Sequence, residues 1–401
     1  MVEKSLDRKL AAIHADRNCK EFIIADAKDA DMAYGIRSPG PSPEYYHGEL
    51  RFRSMADYRE MMRQITYQAA VDIMLMSASS NEILTIRERL FDNSPVTPAV
   101  RTNDTTDIHF ARHGVYTQEY SRPFRTTTIP HAQCGKYQCD PGERGLGANL
   151  GLYSVTFNNN VERDLETIRA FKEFRLECEE KGFQYFLEVF DPNVPNAVPP
   201  EKIGEFVNDM IVRSLAGVTE AGRPLFLKMV YHGPKSMEEL VNFDPHLVPG
   251  ILGGAAGTTY DAFKLISEGQ KYGARVALFG RKINWSEHQL AFTRFLRLIV
   301  DGEITPEEAI RAYHSVLQGL GIKPHRSLED DMALTTNIMS YAGSGTSIVD
   351  MARRSGHVPT RVPSNGASTQ PPKRDGEPDW DRMTPEEKLT YNQRERDRIF
   401  G

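Results

Sequence analysis

From about residue 20 to residue 300, short apolar runs alternate with longer amphipathic stretches dotted with charge. The apolar runs cover 22–27, 72–77, 95–101, 150–157, 184–190, 224–231, 247–253 and 275–280. Each is rich in branched or aromatic residues and closes in turn signals. Runs that are apolar on both faces suit strands buried in a parallel sheet. The stretches between them predict helices over 54–69, 161–181, 199–216, 258–271 and 287–300. In the second of these, Leu165, Ile168, Phe171 and Leu176 recur near helical spacing. Pro199-Pro200-Glu201 marks the start of the third. Eight strands alternating with helices predict a (β/α)₈ barrel, a fold of typically ~250 residues, with an open doubly wound sheet as the alternative.

Three regions depart from the repeat. Residues 102–149 are rich in Thr, Arg, Gly and His and lack regular apolar positions, so they read as a lid-like insertion after the third strand, over the barrel's C-terminal face. Thr305-Pro306-Glu307-Glu308 starts an extra helix, with a capping Thr, a first-turn Pro and a Glu three residues on. Residues 356–381 are Pro-, Gly- and Ser-rich and predict disorder, and Thr384-Pro385-Glu386-Glu387 opens a last polar helix. That helix is either a solvated tail or a partner-binding arm. The division is a barrel over 1–320, an appendage over 321–355 and a mostly disordered tail over 356–401.

The chain has 401 residues and a net charge of −6, which leaves no positive excess for a nucleic-acid backbone. No stretch approaches the ~20 apolar residues of a membrane span. The first residues carry acidic groups and no apolar signal core, so the expected compartment is the cytoplasm. Four cysteines, Cys19, Cys134, Cys139 and Cys178, are too few and scattered for a disulfide framework.

Charge inside apolar strands is the chemical signal. The sixth run, Pro224-Leu-Phe-Leu-Lys-Met-Val-Tyr231, contains Lys228. Burial lowers a lysine pKa, and a neutral amine attacks carbonyls to form Schiff bases. A strand-end lysine reaching out to water is the plain alternative. The fifth run holds Glu188, either a proton shuttle for that amine or simply its ion-pair partner. The first run ends in Ala25-Asp26-Ala27-Lys28, and Asp26 is placed either to hold a substrate hydroxyl or to cap a loop. Ile251-Leu-Gly-Gly-Ala-Ala-Gly-Thr258 is a strand end, glycine turn and helix start, suited to phosphate. Gly280-Arg281 closes the eighth strand with a guanidinium fork, and a barrel's recurrent phosphate site follows strands seven and eight. A rival metal reading rests on His109, His113, His131, Cys134 and Cys139, and would make the protein a metal-dependent lyase or isomerase.

The segments PLFLKMVY, ILGGAAGTTYDAFKLI and YGARVALFGRKINW resemble the last three units of class I, Schiff-base-forming aldolases. The likeness is to the tagatose-1,6-bisphosphate aldolase and archaeal-type fructose-bisphosphate aldolase groups of the deoxyribose-phosphate aldolase-like superfamily. YSVTFNNNVERDLETIRAFKEFRLECEEKGFQYFLEVFDP is similar to the fourth and fifth units, and FIIADAKDADMAYG to the first. The resemblance implies Lys228 as the Schiff-base lysine, Glu188 as the proton-transfer carboxylate and Asp26 as the first-strand acid. It puts Gly253, Gly254, Gly280 and Arg281 at the phosphate site, and Lys28 is grouped with them as a substrate-binding cation. It implies a sugar-phosphate substrate, no cofactor, no catalytic metal and a homo-oligomer. The sequence departs from the tagatose type at Leu152, near the start of the fourth strand, where that type has Lys, and in the 102–149 insertion. A barrel that binds a sugar phosphate without turning it over, as a sensor or scaffold, is the non-enzymatic alternative.

Overall fold

The computed structural model describes residues 2–16, 18–46, 49–104, 111–254 and 257–335. His109, the 356–381 stretch and the helix start at Thr384 lie outside the described residues. Eight parallel strands close into a barrel: β1 (Ile23–Lys28), β4 (Ile73–Met76), β5 (Thr97–Arg101), β6 (Leu150–Thr156), β7 (Gln184–Phe190), β8 (Leu227–Met229), β9 (Gly250–Leu252) and β10 (Val276–Phe279). β1 pairs with both β4 and β10, which closes the ring. The eight apolar runs are these eight strands. Two short antiparallel strands, β2 (Pro41–Tyr46) and β3 (Glu49–Phe52), form a hairpin after β1 that the apolar pattern does not foretell.

Alternation of side chains along each strand divides the core. Ile23, Ala25, Ile73, Leu75, Ala99, Leu150, Leu152, Phe186, Phe226, Val276 and Leu278 pack together inside the barrel. Phe186 stacks on Phe226 with ring centroids 4.5 Å apart. The opposite faces of the strands pack on the helices in two further clusters. Leu152 is part of the apolar interior.

The helices begin where the chain offers caps. Ser54, Thr258 and Thr305 each accept from the backbone three residues on, in full capping boxes with Asp57, Asp261 and Glu308. Asn160 and Gly182 bound the helix Val161–Lys181. After Pro199 the chain makes a single 3₁₀ turn before the helix Ile203–Leu215. The extra helix Pro306–Gly319 sets the Tyr313 ring edge-on to Phe263, Phe292 and Phe295. Residues beyond it fold back onto the start of Thr259–Lys271. Asp331 Oδ1 accepts from Thr259 N (2.8 Å), and Asp261 Oδ1 accepts from Thr335 N (3.0 Å).

A helix over Ser5–Ala15, also unforeseen, closes the barrel's N-terminal end, with Leu6, Leu10 and Ile13 joining the interior cluster. Lys9 Nζ lies 2.9 Å from Asp72 Oδ1, and Arg297 Nη2 lies 2.6 Å from Asp72 Oδ2. Burial works against the Asp72 carboxylate, but Arg297 and Lys9 outweigh it and hold its pKa below the ordinary value. Because that pKa is depressed, the stability it contributes is present above the unfolded value of ~3.9 and is lost as pH falls through the folded one. Asp72→Asn strands two buried cations and is expected to cost about 3–5 kcal/mol at pH 7. Urea unfolding should show that loss, with the gap to the native protein closing toward pH 3; equal midpoints at pH 7 would contradict it. Among the described residues, no helix is long and apolar enough to cross a membrane.

Candidate active site

Register brings the polar interior residues into one row. Ser154 on β6 is level with Glu188 on β7, and Glu188 is level with Lys228 on β8. All three therefore face the barrel axis near the C-terminal ends of their strands, above the Phe186–Phe226 layer. Lys228 is 5% exposed and Glu188 is fully buried. Lys228 Nζ lies 2.5 Å from Glu188 Oε1. The other carboxylate oxygen, Oε2, accepts from Ser154 Oγ (2.7 Å) and faces Arg101 Nη2 (3.4 Å).

Arg101, the last residue of β5, is the hub. Its Nε donates to Asp29 Oδ2 (2.6 Å), and its Nη1 donates to Ser154 Oγ (3.1 Å) and Asn103 O (3.3 Å). Asn103 clamps the Ser154 backbone in turn: its Oδ1 accepts from Ser154 N and its Nδ2 donates to Ser154 O, both at 2.7 Å. Glu188 is thus fixed from one side by Ser154 and Arg101, with its second oxygen presented to Lys228.

Above the row lies a small pocket of about 40 Å³ that opens to solvent, lined by Asp29, Tyr34, Arg101, Lys228, Gly253, Gly254, Gly280 and Arg281 among others. The glycines have a packing reason. A Cβ on Gly253 would come within 2.1 Å of Phe279, and one on Gly280 within 2.3 Å of Ala27 O. Gly253 N–H is committed to Leu278 O (2.7 Å). The Arg281 guanidinium sits 4.9 Å from the Tyr34 ring centroid. Burial pulls the nearby Arg37 guanidinium below its ordinary pKa, and the neighbouring charges of Arg112 and Arg281 add to the effect. Such crowding of like charge favours an anion at this rim.

Of the residues singled out by sequence, Lys228, Gly253, Gly254, Gly280 and Arg281 line one space, and Glu188 lies behind Lys228, paired with it. Asp26 and Lys28 do not join them. Both alternate to the outer face of β1 with Ile24, while Ile23 and Ala25 face inward. There Lys28 Nζ pairs with Asp26 Oδ2 (3.0 Å) and donates to Asn284 Oδ1 (2.6 Å), with both side chains fully buried. Burial raises the Asp26 pKa and lowers that of Lys28. The acid that reaches the cavity from this turn is Asp29. Sequence reasoning passed over Asp29, Arg101 and Ser154. Arg101 carried a signal related to that of Lys228, a charge closing an apolar run, and Ser154 shares the inward parity of Leu150 and Leu152.

The insertion divides in two. Residues 116–121 are tied to the C-terminal rim: Asn193, after β7, donates through Nδ2 to Tyr116 O (2.6 Å) and Glu119 O (2.7 Å), and Asn158, after β6, donates to Asn193 Oδ1 (2.7 Å). Its helix Ile129–Cys134 packs instead in the outer layer with Phe171 and Phe174. Among the described residues, none between 111 and 149 lines the cavity. Of the rival ligands, His113 is exposed and His131 Nδ1 pairs with Thr128 Oγ1 (2.8 Å).

No protein-family model matches the chain, and no curated protein does. Solved structures do. An archaeal fructose 1,6-bisphosphate aldolase superposes with a TM-score of 0.52 at 16% identity, over 74% of this chain and 100% of that one. A Schiff-base-forming fructose-1,6-bisphosphate aldolase gives 0.51 at 15% identity, over 74% and 100%. A fructose-bisphosphate aldolase from Slackia heliotrinireducens gives 0.56 at 12% identity, over 82% and 93%. The chain shares the (β/α)₈ barrel fold of these structures. At such identities the likeness establishes the fold of Schiff-base aldolases, and the chemistry rests on this chain's own residues.

One group at the rim of this barrel gives a pH signature. Asp31 Oδ2 accepts from Ser77 Oγ (2.6 Å), and burial raises the Asp31 carboxyl pKa to about 6. Its neutral form is favoured in the folded state, so the stability it contributes is complete below pH ~4 and is lost as pH rises through 6. Asp31→Asn removes that titration. Chemical denaturation should show the variant gaining on the native protein by roughly 2–3 kcal/mol between pH 4 and pH 7, at ~1.36 kcal/mol per pH unit. A constant difference over that range would refute the assignment.

Proposed function

We propose that this protein is a class I aldolase that makes or breaks a C–C bond next to the carbonyl of a phosphorylated ketose or related keto compound, through a Schiff base on Lys228. The observation that carries the reading is the Lys228–Glu188 contact of 2.5 Å, deep in the barrel yet opening on a cavity. A lysine held for structure alone has no need to line a pocket beside a carboxylate.

In this reading Glu188 takes the ammonium proton, and the freed amine attacks the substrate carbonyl. Glu188 returns the proton to the carbinolamine hydroxyl, which leaves as water and gives the iminium. The iminium draws in the electron pair of the breaking C–C bond while Glu188, again a carboxylate, accepts the proton of the substrate's β-hydroxyl. An aldehyde departs and an enamine remains. Protonation at carbon by Glu188 and hydrolysis release the ketone and restore the amine. Arg101 and Ser154 hold Glu188 so that the same oxygen faces the reacting centre in each transfer. Asp29, level with the cavity, is the second carboxylate within reach of substrate. Arg281, with the turns at Gly253, Gly254 and Gly280, anchors the phosphate, so that binding of a remote group positions the reacting carbons. Arg101, Lys228 and Arg281 against Asp29 and Glu188 leave the cavity one positive charge in excess, which suits an anionic substrate.

The direct test is incubation with candidate ketose phosphates and borohydride, followed by peptide mass analysis. The expected result is a reduced adduct on Lys228, absent in Lys228→Met. Turnover without any adduct would overturn the Schiff-base mechanism, and tight binding with neither adduct nor turnover would favour the sensor. The row also sets graded expectations. Glu188→Gln should slow turnover by about 10²–10⁴-fold. Ser154→Ala removes one hydrogen bond worth ~1 kcal/mol and should lower kcat about fivefold with KM little changed. A Ser154→Ala variant with native kcat would show that Glu188 needs no such support.

A further inference from the structure

The insertion holds a second cluster that the aldolase chemistry does not use. Cys134, Cys139 and Glu143 each offer one ligand atom, and these atoms lie within 4.8 Å of one another. We infer that Cys134, Cys139 and Glu143 form a binding site for a thiophilic divalent cation, with zinc the best match, which pins the returning limb of the insertion before β6. None of the three lines the catalytic cavity, so this site stands apart from the function proposed above.

Three local devices bring the ligands together. Cys134 is the last residue of the helix Ile129–Cys134, where Gly135 takes a left-handed φ of 78° and its N–H closes on His131 O. The chain turns back there, and Cys139 arrives opposite. Asp140 then caps the short turn Pro141–Glu143, and Glu143 Oε2 accepts from Asp140 N (3.2 Å), which aims the carboxylate back at the thiols. The limb itself is fastened by Gly147 N to Gln133 O (2.7 Å) and Arg144 Nη1 to Lys181 O (3.1 Å).

The chemistry suits zinc. Tetrahedral coordination with Zn–S near 2.3 Å places two sulfurs about 3.8 Å apart, within the observed spread. Two sulfurs and one oxygen leave a fourth position for water. Thiolate pairs select zinc over magnesium or calcium. Charge also balances. Two thiolates and a carboxylate carry three negative charges, and a divalent ion together with the Lys136 ammonium, 2.5 Å from Glu143 Oε1, cancels them. A carboxylate has about four lone-pair positions, so Glu143 can keep Lys136 and still ligate. Cys134 is buried and Cys139 partly so, which shields the site while leaving an entry for the ion.

The test uses the full chain, reduced, freed of metal and handled without oxygen, then titrated with Co²⁺ and Zn²⁺. One equivalent of Co²⁺ should give a thiolate-to-cobalt charge-transfer band of two-sulfur intensity with tetrahedral visible bands, and Zn²⁺ should abolish it. Cys139→Ser, at a partly exposed position and checked for native circular dichroism, should lose about half the band and bind Zn²⁺ more than ~100-fold more weakly. Glu143→Gln should keep the band and weaken binding by about tenfold or more. Cys19→Ser should match the native protein. Absence of a stoichiometric band in the native chain, or a band unchanged in Cys139→Ser, would overturn the site. Recovery of Cys134 and Cys139 as a disulfide from protein prepared anaerobically would do so too, since thiols joined to each other cannot ligate.

Discussion

The ion pair between Lys228 and Glu188 is the constraint around which this barrel is arranged. Taking a carboxylate and an ammonium out of water costs several kcal/mol each, and their attraction repays that only when the remaining lone pairs and protons are also satisfied. The strands supply what is missing. β6 brings Ser154 level with Glu188, and β5 ends in Arg101, which reaches Glu188, Ser154 and Asp29 together. Below the row, Leu152, Phe186 and Phe226 seal the barrel, and the N-terminal helix stops its other end. Water therefore reaches the row from one side only. A network with this much buried charge is poor value as a stability device and well suited to proton transfer.

Much of this was legible along the chain, and the failures are instructive. Buried parallel strands are apolar on both faces, so all eight stood out as compact runs, and the helix start at Thr305 announced itself through its cap, while those at Ser54 and Thr258 were read from the amphipathic stretches that follow. Lys228 and Glu188 were visible because an apolar strand has no ordinary use for them. Asp26 carried the same signal and sits elsewhere, because a strand turns successive side chains to opposite faces and the sequence does not say which face is inside. One parity step separates a carboxylate at the cavity from one sealed against Lys28 and Asn284. The N-terminal helix escaped notice because only Leu6, Leu10 and Ile13 of it are apolar and buried, in a charged background. The glycines at the ends of β9 and β10 show a different ambiguity. Contact with Phe279 and with Ala27 O demands them whatever binds above.

The mouth of the barrel is electrostatically lopsided. Arg37 and Arg281 are both nearly buried at its edge, and Arg112 adds charge from the insertion. A rim of this kind raises the local concentration of anions near the pocket that Lys228 lines. The insertion contributes through its anchorage on Asn158 and Asn193, so that one element links the rim of the cavity to the outer layer where Cys134, Cys139 and Glu143 meet.

The central claim is that the Lys228 amine becomes covalently bound to the substrate carbonyl carbon. Imine formation expels the carbonyl oxygen as water, and hydrolysis replaces it from solvent. In H₂¹⁸O the native protein should therefore label the carbonyl oxygen of a ketose phosphate it accepts far faster than solution exchange, with Lys228→Met indistinguishable from buffer. C–C cleavage that proceeds while the recovered ketone keeps its ¹⁶O, or equal labelling by native protein and Lys228→Met, would contradict the account.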